Sequence, residues 1–401
     1  MKVRLKQAFD LQMGKTPARN QSEYWGGNHK WVSIADIGNA GKYISKTKEC
    51  ITDAGVSGSG IKVVPQGTVI MSFKLSIGKT AITAQDMYTN EAIMAFIDKG
   101  VFAIDPNYLY HLCCGTDWTA GTNKAVMGLT LNKATLLEKE ISIPDILEQR
   151  EIAAKLDKID EIIADRQIQL ELIEQAVKSR FIELFGDPET NPYNLDVGKL
   201  SDVADIYLGL THTPTYVEQG KPFLSVRDIS SGMIDFSNCH YITEEEFCSL
   251  PNGARPKVGD MLFCRVGTIG KPVIIPENTP EFGTFVSVGF LRKKANVNNY
   301  YLKSWMENDY FMRQVYDNVA GASQINLNTG WLKNFRILIP SMKLQEQFAA
   351  FVEQTDKSKY YSAIMYRKSG EPYCQSEKKL ICIYKIFSRC SIWFPTTYRT
   401  V

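Results

Sequence analysis

Residues 76–82, Ser-Ile-Gly-Lys-Thr-Ala-Ile, carry the Gly-Lys-Thr that closes a phosphate-binding loop. That chemistry needs another glycine five residues before Gly78, so that the backbone can wrap the phosphates, and Phe73 stands there. A similar stretch at 268–274 has Pro272 where a hydroxyl would meet Mg2+. Neither stretch supports nucleotide binding. Residues 190–195, Thr-Asn-Pro-Tyr-Asn-Leu, echo the Asn-Pro-Pro-aromatic loop of amino-methyltransferases, but with one proline and no Phe-x-Gly-x-Gly cofactor loop. The nine cysteines form no Cys-x-x-Cys pair and the four histidines are scattered, which argues against zinc and for reduced thiols in a cytoplasmic protein. No Ser/His/Asp, Cys/His or carboxylate–carboxylate–Lys arrangement has a recognisable spacing. The residue types point away from catalysis by this chain.

Positioning such residues takes a sizeable scaffold, and 401 residues allow two or three domains. The 44% hydrophobic and 22% charged content is that of a globular protein, with no run of eighteen apolar residues to span a membrane and no apolar leader. A net charge of +2 reveals no partner, but its distribution does more: residues 1–144 carry +4 and residues 145–189 carry −6. A nucleic-acid surface would therefore lie outside the acidic segment.

Four blocks recur in the same order at separations of about 192 to 196 residues. Residues 8–17 (AFDLQMGKTP) match 203–214 (VADIYLGLTHTP), and 31–37 (WVSIADI) match 223–229 (FLSVRDI). Residues 64–82 match 256–274, pairing Gly67 with Gly259 and Gly78-Lys79 with Gly270-Lys271. Residues 140–154, ending IPDILEQREIAA, match 336–350, ending IPSMKLQEQFAA. Within each copy, short Val/Ile/Phe runs broken by Gly, Pro and Asn read as strands, while 106–115 and 298–315 read as amphipathic helices. The expected fold is α+β: two tandem mixed α/β domains in a pseudo-two-fold arrangement, separated by long antiparallel coiled-coil helices.

The first of those helices is the clearest. Ile152, Leu156, Ile159, Ile163, Leu170, Ile173, Val177 and Phe181 follow alternating steps of four and three, with Arg166 in one seam position. Pro144-Asp145 starts it and Gly186-Asp187-Pro188 stops it, giving a rod of roughly 55 Å. These seam residues are expected to pack on the second helix. From Phe348 the same phase gives Val352, Thr355, Lys359, Ser362, Tyr366 and Ser369, so the second seam dissolves after a turn or two. Gly370, Pro372 and Pro395 then interrupt an atypical tail. The expected boundaries are 1–144, first domain; 145–187, first helix; 188–340, second domain; 341–369, shortened second helix; and 370–401, tail.

This order of blocks, with the Gln-x-x-Ile/Phe-Ala-Ala helix start and the Leu-Phe-Gly-Asp-Pro exit at 184–188, resembles the specificity subunit of type I restriction–modification systems. The resemblance covers residues 1 to about 358. It implies two target recognition domains, each reading one half of a split site in double-stranded DNA. It also implies two methyltransferase subunits on the helices and restriction/translocase subunits joined to them. The chain would bind no cofactor, with S-adenosylmethionine, ATP and Mg2+ on the partners. The residues alone also admit a coiled-coil scaffold with two ligand-binding domains unrelated to DNA, or a truncated or rearranged specificity allele.

If DNA is the ligand, the candidate contacts are paired loops. They are Lys15, Thr16 and Arg19 with Thr211, His212 and Thr213; Lys30 and Ser33 with Arg227; and Lys74, Ser76 and Lys79 with Arg265, Thr268 and Lys271. Asn123 and Lys124, and Ser323, Gln324 and Asn326, fall in polar loops before the last strand of each copy. Arg265 suits a guanine edge and Gln324 an adenine edge. Ser33, Asp36, Asp228 and Trp31 are expected to serve folding, since both copies keep that motif. On the acidic helix, Glu161, Asp165 and Glu174 are candidate docking residues for a partner subunit.

Overall fold

The computed structural model describes residues 1–74, 76–119, 131–318 and 325–370, with 357–370 as backbone only. The fold is mixed α+β with two α/β domains and one very long helix, Ile146–Phe185. Two compact units divide within that helix, one comprising residues 1–166 and the other 167–370.

In the first unit a five-stranded sheet has the order Phe9–Met13, Ile93–Asp98, Val69–Ser72, Thr80–Thr83, Tyr43–Ile44. A smaller sheet has the order Glu49–Ile51, Trp25–Val32, Tyr88–Thr89. Strands Val69–Ser72 and Thr80–Thr83 have every residue buried, as apolar runs covered on both faces should. Helix Pro106–Gly115 packs its Leu109 and Cys113 into the same core as Val69, Met71 and Phe96. Strand Lys2–Arg4 pairs antiparallel with Glu140–Ser142, so the start and end of the domain close on each other.

The second unit repeats this order except that, among the described residues, no strand corresponds to the edge strand Tyr43–Ile44. Strands Ala204–Leu208, Val288–Lys293, Met261–Cys264 and Val273–Ile274 form one sheet, and His240–Ile242, Lys221–Leu224 and Gly283–Thr284 the other. Strand Asp196–Lys199 pairs antiparallel with Arg336–Ile339, as Lys2–Arg4 does with Glu140–Ser142. The helix expected over 298–315 is in fact two, Asn299–Met306 and Asp309–Asn318. Asn308 breaks it by accepting from the Tyr310 amide at 2.9 Å, which caps the second piece.

The long helix starts where Asp145 accepts from the Leu147 and Glu148 amides at 3.0 and 3.1 Å. It stops at Gly186, whose φ of 74° is the left-handed turn that favours glycine. Its seam is visible as burial: Ile152, Leu156, Ile159, Ile163, Leu170, Ile173 and Val177 are half-buried and Phe181 is buried. Within the second unit, Phe181 and Phe185 lie 5.7 and 5.5 Å from the Phe348 ring, edge to face, at the start of helix Met342–Gly370. The loss of seam after Val352 does not end that helix, which runs 29 residues to Gly370. Lys, Gln, Ala and Met sustain a helix without an apolar stripe. The tail from 371 on lies outside the described residues.

Candidate nucleic-acid interface

Each domain sends out its first loop at a forced glycine. A Cβ on Gly14 would fall 2.2 Å from the Thr89 carbonyl oxygen, and one on Gly209 would fall 2.3 Å from that of Phe285. The loops are then tied down, Lys15 N to Thr89 O and Leu210 N to Thr284 O, both at 2.8 Å. Only glycine allows so close a backbone approach, and both copies keep it.

In the first domain the loop residues are heavily engaged. The Arg19 guanidinium grips both Glu49 oxygens at 2.5 and 3.0 Å and lies 3.9 Å from the Trp25 ring centroid and 5.0 Å from that of Trp31. The hydrogen bond to Glu49 raises the guanidinium above its usual value and holds the carboxyl below the usual range. Thr16 donates to Glu91, and Lys15 donates to the Ser59 carbonyl while remaining exposed. The Lys30 ammonium sits 3.8 Å from Cys50 Sγ. Lys15, Arg19 and Lys30 are thus gathered on the small sheet. Ser33 faces the polypeptide rather than a ligand: its hydroxyl and amide both donate to Asp36, at 2.7 and 2.8 Å, capping helix Ile34–Asn39. Ser225 and Asp228 repeat that cap at 2.9 and 2.6 Å.

Lys74, Ser76 and Lys79 occupy the turn between the two buried strands. Ser72 pins it, its amide donating to Lys79 O at 2.8 Å and its hydroxyl to Ser76 O. Ser76 and Lys79 are exposed and Lys74 is half-buried. Among the described residues, no hydrogen bond or ion pair joins this turn to the Lys15–Arg19 group.

The second domain differs. Thr211, His212, Thr213, Thr268, Lys271 and Asn326 are exposed. Arg227 is also exposed, 3.4 Å from both Asp228 Oδ1 and the Asn238 carbonyl oxygen. Arg265, expected at a guanine edge, has another occupation: Nε donates to Leu327 O and Nη1 to Val286 O, each at 2.9 Å. Half-burial lowers its affinity for a proton. It clamps the segment before the last strand instead of presenting its fork. Asn123, Lys124, Ser323 and Gln324 lie outside the described residues. Sequence reasoning missed Tyr216 and His240, exposed rings stacked at 4.1 Å and 14°. Tyr216 falls 192 residues after Tyr24, but the same separation sets His240 against Lys48, so the stacked pair is not repeated and left no signal.

The long helix presents Glu161, Asp165 and Glu174 as exposed carboxylates, Glu161 paired with Lys158 at 2.8 Å. The repeated glutamines of the helix starts explain themselves. Gln149 is fully buried, donates to Ala103 O and Pro144 O, and accepts from Asp105 N, all at 2.9 Å. Gln345 does the same with Asn296 O at 3.3 Å, Pro340 O at 2.8 Å and Asn298 N at 2.8 Å. Tyr108 and Tyr301 add matching hydroxyl bonds to Ser142 O and Leu338 O at 2.8 and 2.7 Å. Among the described residues there is no cluster that could hold a metal ion and no helix long and apolar enough to cross a membrane.

The two α/β domains share one order of elements and carry exposed polar and basic loop residues. Residues 1–174 match the family model described as the type I restriction modification DNA specificity domain. The type I restriction enzyme MjaIX specificity subunit of Methanocaldococcus jannaschii is 25% identical over 381 residues, covering 87% of this chain and 85% of the relative. The MjaVIII specificity subunit of the same organism is 22% identical, covering 94% and 90%. A chain solved in work on complex assembly and conformational transition of the type I R-M system shares the fold, with a TM-score of 0.57, 18% identity and 96% of each chain covered. The type I S subunit from M. genitalium gives a TM-score of 0.50 at 14% identity, with 96% and 94% covered. Over most of its length the chain is similar to specificity subunits of type I restriction enzymes, and its residues 1–174 match the DNA specificity domain of that family.

Proposed function

We propose that this chain reads an asymmetric, two-part site in double-stranded DNA, one half per domain, and holds the halves at a set spacing. One observation carries the reading: the two domains share sheet order and internal clamps but differ in their exposed loop residues. Two readers with one scaffold and unlike surfaces suit two unlike half-sites. The domains are taken as residues 1–144 and 188–340, with spacer helices at 145–187 and 341–369 and a tail at 370–401.

Lys15, Ser76 and Lys79 in the first domain, and Thr211, His212, Thr213, Arg227, Thr268, Lys271 and Asn326 in the second, are the exposed candidates for DNA contact. The lysines suit phosphates and the Thr, His and Asn side chains suit base edges. Thr16, Arg19, Lys30, Ser33, Lys74 and Arg265 shape the loops that carry them. The exposed acidic residues Glu161, Asp165 and Glu174 support docking of two methyltransferase subunits on the long helix, with restriction/translocase subunits joining the complex in the cytoplasm. S-adenosylmethionine, ATP and Mg2+ belong to those partners.

Co-expression with methyltransferase subunits, followed by sequencing of methylated adenines, tests the reading. A bipartite asymmetric motif is expected. A complex that assembles and methylates a single contiguous motif would refute it.

A further inference from the structure

Among the described residues, polar side chains fasten the long helix to the first domain at two places. Gln149 forms one, with Arg150 beside it 3.7 Å from Asp105. The other is Asp157, eight residues on, where three elements converge on a single carboxylate. Lys42 Nζ, just before strand Tyr43–Ile44, donates to both Asp157 oxygens at 2.6 and 2.7 Å. His111 Nε2, from helix Pro106–Gly115, lies 2.7 Å from Oδ1. The Lys42 and His111 side chains are 18% and 5% exposed. The Tyr43 and Tyr110 rings flank the ammonium at 5.8 and 5.7 Å. Such a cluster has a defined geometry, because removing one member leaves its partners poorly compensated.

Among the described residues, the second domain has no such device. The residue 196 positions after Asp157 is Glu353, which is exposed and makes no ion pair among the described residues. The separation of 193 that relates Tyr108 to Tyr301 puts Ser304 in place of His111, and a separation of 192 puts Ile234 in place of Lys42. The glutamine clamp was copied and the ion triad was not.

We propose that Lys42, His111 and Asp157 are positioning residues for DNA reading, fixing the angle at which the long helix leaves the first domain and hence the half-site separation that is accepted. This rests on the two-part reading above. Gln149 and the adjacent Arg150 hold the helix at one place, about which it can pivot, whereas a second place roughly 12 Å along it fixes a direction. The leverage is large: from Asp157 to Phe185 the helix runs about 40 Å, so a swing of about 5° moves its far end by ~3.4 Å, one base-pair step.

The assembled complex with methyltransferase subunits is given DNA carrying its two half-sites at the natural separation and at one base pair more or less. Asp157→Asn keeps the shape and removes the charge. It should methylate the natural site within about twofold of the unmodified complex and the misspaced sites about tenfold better, an effect the size of one mismatched pair. The bases preferred in each half should not change, and Glu353→Gln should discriminate as the unmodified complex does. An Asp157→Asn complex that rejects misspaced sites as sharply as the unmodified one overturns the proposal. Amide hydrogen exchange on the full chain decides it independently of assembly. Residues 152–160 should exchange faster in Asp157→Asn while strands Val69–Ser72 and Ile93–Asp98 stay protected, and unchanged protection of 152–160 also overturns it. If the unmodified complex shows no two-part site, the functional reading fails, and the exchange result still decides whether the triad fixes the helix.

Discussion

The two domains agree where the chain touches itself and disagree where it faces outward. Gln149 and Gln345, Tyr108 and Tyr301, and the Ser33–Asp36 and Ser225–Asp228 caps make the same bonds at nearly the same distances. On the surface, Arg19 lies over Trp25 in one domain, while Tyr216 stacks on His240 in the other. Backbone groups at a buried helix start need partners whatever the ligand, so the clamps persist through duplication. Loop side chains answer only to what they bind, so they drift apart.

The largest expected effect tests whether the clamps are equivalent. Gln149→Leu strands an amide and two carbonyls in the core and should cost about 3 kcal/mol in the first domain. Gln345→Leu should cost the second domain slightly less, since its bond to Asn296 O is the longer at 3.3 Å. Domain-resolved hydrogen exchange measures both, and a cost near zero in either would break the comparison. Next in size, Tyr108→Phe and Tyr301→Phe should each cost about 1 kcal/mol, read the same way. Ser33→Ala and Ser225→Ala should cost about as much, through loss of the cap.

Smaller effects come from the surfaces. Lys15→Ala and Lys79→Ala should leave the methylated sequence unchanged and each lower the salt dependence of DNA binding by about 0.9 in log–log slope. Arg265→Ala should weaken reading by the second domain without altering its sequence, because the guanidinium holds Leu327 and Val286.

The smallest effect concerns pH. Burial alone would raise the Asp157 carboxyl, but hydrogen bonds from Lys42 and His111 outweigh it and hold the group below its usual range. A depressed carboxylate contributes stability above its unfolded value, about 3.9, and loses it as pH falls through the folded value. The stability difference between the unmodified chain and Asp157→Asn should therefore be steady from neutral pH to about 5 and shrink below about 4. A difference that grows on acidification would contradict this sign.

The duplication was legible because conserved spacing survives when sheet order cannot be read. The blocks separated by 192 to 196 residues fall on corresponding strands. The long helix was legible to within a few residues, since a four–three apolar step and a glycine stop leave little choice. The buried glutamines were visible as a repeat, though their partners were not, because Ala103 and Asn296 contribute only carbonyls. The triad was invisible: Lys42, His111 and Asp157 are far apart in sequence and unrepeated. Arg265 was expected at a guanine edge, but a fork of donors suits two carbonyls as well, and the fold sets it against those of Leu327 and Val286. The exposed loop residues remain candidates for reading, and their side-chain types do not say which bases they would meet.

The central claim is that each domain reads its own half-site. Mapping methylated adenines for a complex in which Lys271 and His212 of the second domain are both changed to alanine tests it most directly. The account predicts weakened or altered preference in one half of the motif, with the other half and the spacing unchanged. A change spread over both halves, or confined to neither, would contradict it.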